Sequence, residues 1–154
     1  MKITRAFTAI GLFFLTAPGV YAACSSATAA GTFGFTTTGT LILPTGPAPV
    51  AAVGVVHFDR DGNTTGSQDR SVGGAFAHET LTGTLTVNRD CKISLLANVY
   101  DGSGSLVRTS TIPGILVDNG KHIRAIFETV VLPNGANLPS VLTIEAERIR
   151  GQAE

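Results

Sequence analysis

Phe76-Ala77-His78-Glu79-Thr80-Leu81-Thr82-Gly83-Thr84-Leu85-Thr86-Val87-Asn88 is the stretch that decides the fold. Leu81, Gly83, Leu85 and Val87 fall on one parity, and Thr80, Thr82, Thr84 and Thr86 fall on the other. Successive side chains of an extended chain point to opposite faces, so this alternation predicts a strand with one buried and one wet face. Threonine suits the wet face because its branched Cβ packs well on a pleated surface.

Moving outward from this stretch, the same event recurs: a run of β-formers, then a turn. Upstream lie Gly73-Gly74 and Asp61-Gly62-Asn63. Downstream lie Asn88-Arg89-Asp90, Gly102-Ser103-Gly104, Asp118-Asn119-Gly120 and Asn134-Gly135. Each carries Gly, Asn or Asp, residues that tolerate or stabilise turn conformations. With a longer Pro-rich link at 44–49, these breaks predict strands over 32–43, 50–59, 64–72, 76–88, 91–101, 105–117, 122–132 and 141–149. Evenly spaced hairpins in this number predict an all-β fold, an eight-stranded antiparallel up-and-down β-barrel. Gly34 and Gly39 inside the first strand are expected to let it bend and close the sheet. Pro113-Gly114 is expected to bend or bulge the sixth. The third strand is polar throughout and is expected to be solvated or weakly packed.

The chain opens on a different pattern. Lys2 and Arg5 precede an apolar run over 6–15, Pro18-Gly19 breaks it, and Val20-Tyr21-Ala22 puts small residues at a cleavage position. This predicts a signal peptide at 1–22 and a single barrel domain at 23–154, in a secreted or periplasmic protein. The run is too short to span a bilayer, which takes roughly 20 apolar residues. No membrane span is expected after cleavage. An outer-membrane barrel would need aromatic girdles and an apolar outer stripe on every strand; the polar third strand and the lack of Trp speak against one. Cys24 and Cys91 are the two cysteines, and in an exported chain their expected fate is a disulfide. Lipid modification of Cys24 is the alternative, although Tyr21 stands where such sites carry Leu.

Removing Lys2 and Arg5 from eleven basic residues leaves nine against eleven acidic, a formal net charge of −2. Without a basic surplus there is nothing to drive nucleic-acid binding. With aromatics at 6% there are few platforms on which bases or sugars would stack.

Gly31-Thr32-Phe33-Gly34-Phe35, the stretch 50–59, Thr82-Gly83-Thr84-Leu85-Thr86-Val87-Asn88 with Asp90-Cys91, and Ile115-Leu116-Val117-Asp118-Asn119-Gly120 carry a resemblance. The chain resembles a family of small exported bacterial proteins with a calycin-like barrel, of the lipocalin or allene-oxide-cyclase type. The likeness covers nearly all of 23–154. It implies a secreted eight-stranded barrel without an assigned reaction, related by fold to proteins that bind small hydrophobic molecules or cyclise them in the lumen. No catalytic motif of such relatives can be carried onto this chain residue by residue.

Val53, Val55, His57, Leu85, Leu95 and Phe127 are the residues expected to line the lumen and meet a ligand. His57 is the one among them that could exchange a proton with that ligand. Asp59-Arg60-Asp61-Gly62-Asn63 has the beginning of a calcium loop, but Arg70 stands where the closing Glu would be, and a turn explains the same residues. His57, His78 and His122 have no ligand spacing, so neither a metal site nor a cofactor is expected. Glu145 and Glu147 share a strand face and could act as paired carboxylates, or pair across strands with Arg124 or Lys121. Three functions are therefore in play: a barrel binding a small apolar ligand, a structural protein forming a homo-oligomer, and a barrel cyclase or isomerase.

Overall fold

The structure, a computed structural model, describes residues 23–149; the expected signal peptide lies outside the described residues. A single turn of helix, Ser26–Ala29, leads into nine strands. They are β1 (Gly31–Leu43), β2 (Gly46–Phe58), β3 (Asn63–Val72), β4 (Ala75–Val87), β5 (Lys92–Tyr100), β6 (Leu106–Val117), β7 (His122–Ile126), β8 (Thr129–Val131) and β9 (Ser140–Arg148). Each of β1 to β6 pairs with the next, all antiparallel. β6 then pairs with β7, β7 with β9, and β9 with β1, so the sheet closes on itself. The β-barrel is thus eight staves in up-and-down order, as the turn spacing predicts.

The ninth strand arises from a break in the predicted stretch 122–132. The Phe127 N–H donates to the Leu142 carbonyl at 3.1 Å, and the next residue, Glu128, donates to the Thr111 carbonyl at 2.9 Å. At that point the chain leaves β9 and continues as β8 beside β6, through Thr109↔Val131, Ser110↔Val130 and Thr111↔Thr129. The side-chain parity slips there: Ile123, Ala125 and Phe127 face in, and the next inward residue is Val130.

The 44–49 stretch is not a long link. Its turn is two residues, Pro44-Thr45, and β2 already begins at Gly46. In the ladder Pro47 and Pro49 pair with β1, and β3 joins β2 only from Val50↔Val72 onward, although the Pro49 carbonyl still accepts from the Gly73 N–H at 2.9 Å. Proline has no N–H to give, and a strand with one free edge tolerates it. The register shift in β6 lies opposite Val99 and Tyr100 rather than at Pro113-Gly114. Gly39 has φ +144°, and a Cβ there would strike the Val141 carbonyl of β9, so close strand approach at this corner requires glycine.

Much of the inward face is an apolar lining that includes Phe33, Phe58, Leu81, Leu85, Ile93 and Ile112. Phe33 and Phe58 meet edge to face at 5.6 Å between centroids near one end of the barrel. Burying each such side chain is worth roughly 1.5–3 kcal/mol. That end is sealed by residues 24–30. Cys24 is disulfide-bonded to Cys91, with Cα atoms 5.0 Å apart. Arg148 donates to the Ala30, Thr28 and Gly120 carbonyls, and its guanidinium lies 4.7 Å from the Phe33 ring centre.

Candidate functional site

Three of the six predicted lining residues, Leu85, Leu95 and Phe127, line the central cavity. Val53, Val55 and His57 do not, which corrects the reading of β2. Val53 and Val55 are 59% and 43% exposed on the outer surface, and His57 accepts or donates at 3.1 Å to the Thr32 hydroxyl there. Both faces of β2 are apolar, so composition alone does not choose between them. Packing does. Val56 and Phe58 complete the core beside Phe33, and Gly54 passes under the Phe35 ring, where a Cβ would come within 2.7 Å of Cζ.

The central cavity has a volume of about 70 Å³ and is lined almost entirely by aliphatic and aromatic carbon. One polar atom in its wall stands out. Ser110 Oγ on β6 is fully buried and has no hydrogen-bond partner among the described residues. Leaving a hydroxyl unpaired in an apolar site costs about 1–3 kcal/mol, so the group is poised for a guest that can pair with it.

Above the cavity lies a layer that the polar appearance of β3 conceals. β3 is paired along both edges and turns Thr64, Gln68 and Arg70 inward, so it is a packed stave rather than a loose one. Opposite Gln68 on β4 stands Glu79, 1% exposed. Its carboxylate accepts from Gln68 Nε2 at 2.7 Å, from Arg70 Nε at 2.5 Å, and from Arg108 Nη1 and Nη2 at 2.8 and 2.7 Å. Burial alone would raise the Glu79 pKa; the fork of Arg108, then Arg70 and the Gln68 amide, outweigh it and hold the group at about 2. The carboxylate is ionised at neutral pH and serves as counter-ion to two guanidinium groups.

On the far side of this layer the lumen continues toward the barrel end away from the disulfide. A mouth cleft of about 140 Å³ shares Thr37, Gln68, Arg108 and Phe127 with the inner cavity and is otherwise walled by apolar side chains, with Arg70 at its floor. Cavity, charged layer and cleft follow one another along the lumen, starting from the end that the disulfide closes.

The remaining sequence candidates take structural parts. Asp59 accepts from the Asp61 and Asn63 N–H groups and from Asn63 Nδ2, which spends its oxygens on the turn; the Asn63 side-chain bond holds its carboxyl below the usual range. His78 meets Asp69 at 2.8 Å on the outer surface. Among the described residues no group of three or more His, Cys, Asp or Glu gathers as for a metal ion. Glu128, Glu145, Glu147 and His57 are all exposed. In register, Glu145 lies opposite Arg124, and Glu147 opposite His122.

The chain matches no protein-family model and no curated protein. The closed antiparallel barrel agrees with the calycin-like resemblance in architecture, and that likeness is one of fold. No described helix is long and apolar enough to cross a membrane.

Proposed function

We propose that this protein is an exported calycin-like barrel that binds a small, mostly apolar molecule in its lumen. The observation that carries the reading is the unpartnered Ser110 hydroxyl, buried in an apolar cavity that shares Thr37, Gln68, Arg108 and Phe127 with the cleft beyond it. Pockets for drug-sized ligands run to roughly 300–1,000 Å³. The ligand is correspondingly small, or it enters by moving Phe127, the half-buried ring common to cavity and cleft. Leu85 and Leu95 are the expected contacts below that ring. The enzymatic alternative has lost its acid–base groups. The carboxylates and histidine it relied on face water, and the buried Glu79 is locked as a counter-ion.

The test uses 1-hexanol and toluene as probes, titrated into the disulfide-bonded chain and followed by amide chemical shifts. Saturable binding that perturbs Ser110, Ile112 and Phe127 is the expected result. Linear, non-saturating shifts spread over the outer surface would remove the proposal.

A homo-oligomer remains the second reading, favoured by one observation. Ile115, Ile126 and Val141 are exposed on the outer faces of β6, β7 and β9, with Leu96 on β5 beyond them. Apolar residues grouped on the outside of a closed barrel mark a surface suited to a partner.

A further inference from the structure

We propose that Arg70 makes the mouth cleft a receptor for small apolar monocarboxylates, the ligand's carboxylate meeting the terminal nitrogens of Arg70. Its hydrocarbon part would lie against Leu41, Val50, Val72 and Leu138. The inference rests on the lumen-binding reading and names the chemical class that this end of the lumen selects.

Charge is the first ground. Two guanidinium groups, Arg70 and Arg108, face one carboxylate, Glu79, so the floor keeps one positive charge. Among the described residues no Asp or Glu lines the cleft above it. A single positive charge amid hydrocarbon favours a monoanion, and low local polarity strengthens that attraction.

Hydrogen bonding is the second and independent ground. Glu79 already accepts four hydrogen bonds, which fills the lone-pair sites of a carboxylate. Arg108 spends both terminal nitrogens on it. Arg70 gives only Nε, and among the described residues its Nη1 and Nη2 have no protein acceptor. Its side chain is 27% exposed, against 17% for Arg108. What remains at the floor is the planar donor edge of a guanidinium, the geometry that fits a carboxylate with two parallel bonds.

The walls supply the third ground. β2 and β3 place Val50 beside Val72 and Ala52 beside Arg70, so the residues next to the charge are aliphatic. A bare inorganic anion would gain nothing from them. A neutral alcohol would lie on the walls but leave the Arg70 edge without an anionic partner.

Calorimetry on the disulfide-bonded chain with hexanoate, 1-hexanol, hexylamine and inorganic phosphate tests this. Hexanoate should bind at least about tenfold tighter than 1-hexanol, since hydrogen bonds to charged groups are the stronger kind. Hexylamine and phosphate should bind more weakly still. Arg70→Met should bring hexanoate down to the level of 1-hexanol without changing the latter; Arg70→Lys should recover part of the preference. Circular dichroism melts of both variants check that the barrel persists, as Glu79 keeps Arg108 and Gln68. Equal affinity for hexanoate and 1-hexanol, a preference that survives Arg70→Met, or phosphate matching hexanoate would overturn the inference while leaving lumen binding intact. Binding of neither six-carbon probe would remove the lumen reading and this inference with it.

Discussion

Glu79 is a carboxylate at an apolar phase of a strand. In β4 it shares parity with Leu81, Leu85 and Val87, so its inward placement follows from the alternation that defines the fold. Arg108 likewise shares parity with Ile112, and Arg70 with Gln68 and Thr64. That three charged residues break the inward pattern is visible in the sequence. That they meet is not, because it depends on barrel closure bringing β3, β4 and β6 round to one level. Its depressed pKa has a pH consequence. A carboxylate near 4.5 when unfolded and about 2 when folded adds stability above the unfolded value, and that stability drains away as pH falls from about 4.5 toward 2. The shift corresponds to roughly 3 kcal/mol. Urea unfolding at pH 7, 4.5 and 3 should show this loss. Glu79→Gln should flatten that portion of the profile and cost about 3–5 kcal/mol at neutral pH, by leaving two guanidinium groups without their anion. A variant as stable as the parent at pH 7 would contradict the account.

At the level of elements, turn chemistry reads well and side-chain facing reads less well. Asp118-Asn119-Gly120, predicted as a turn, joins β6 to β7 with positive φ at all three residues, 52°, 54° and 76°. Gly120 is also buried: a Cβ on it would come within 2.5 Å of the Thr28 carbonyl, and its own carbonyl receives Arg148. Gly120→Ala should therefore lower stability by about 1–3 kcal/mol, seen as a lower denaturation midpoint with unchanged slope. Asn119→Gly, which relieves a positive φ, should be neutral or slightly stabilising in the same assay. The reversal of β2 has a plain physical source. Two faces of similar hydrophobicity leave the decision to shape, and the shape that decides is the Phe35 ring over Gly54, a contact between different strands. β8 was hidden for a related reason, because the change of partner at Phe127-Glu128 depends on where β6 and β9 diverge.

For the molecule as a whole, closure was legible from the spacing of turns, and occupancy of the lumen was not. Inward residues can be counted from sequence, but the space left between them depends on how their rings and branches interlock. The sealed end gives the global prediction. Cys24 and Cys91 are 67 residues apart in sequence, and in the chain-entropy model such a link is worth roughly 4 kcal/mol. Reduction, or replacement of both cysteines by serine, should lower the midpoint of thermal unfolding by on the order of 10 °C or more for a chain of this size. A reduced protein melting with the oxidised one would show that Arg148 and the buried Ala29 hold the 24–30 segment without help from the bridge. The exterior makes its own statement, through Ile115, Ile126 and Val141. Light scattering over a concentration series should show an assembly larger than one chain if that surface is an interface, and a single mass throughout if it is not.

β1 and β9, the outermost strands in sequence, lie side by side, and Ala30 and Arg148 are in hydrogen-bond contact at the stoppered end. Neighbours round the wall are also neighbours along the chain, so the polypeptide traces a ring with a nick in it. A short splice across that nick, with a new cut at Pro44-Thr45, would yield a circular permutant with the same staves in the same order. Its free ends would then hang at the rim, where a reporter group could register each arriving guest.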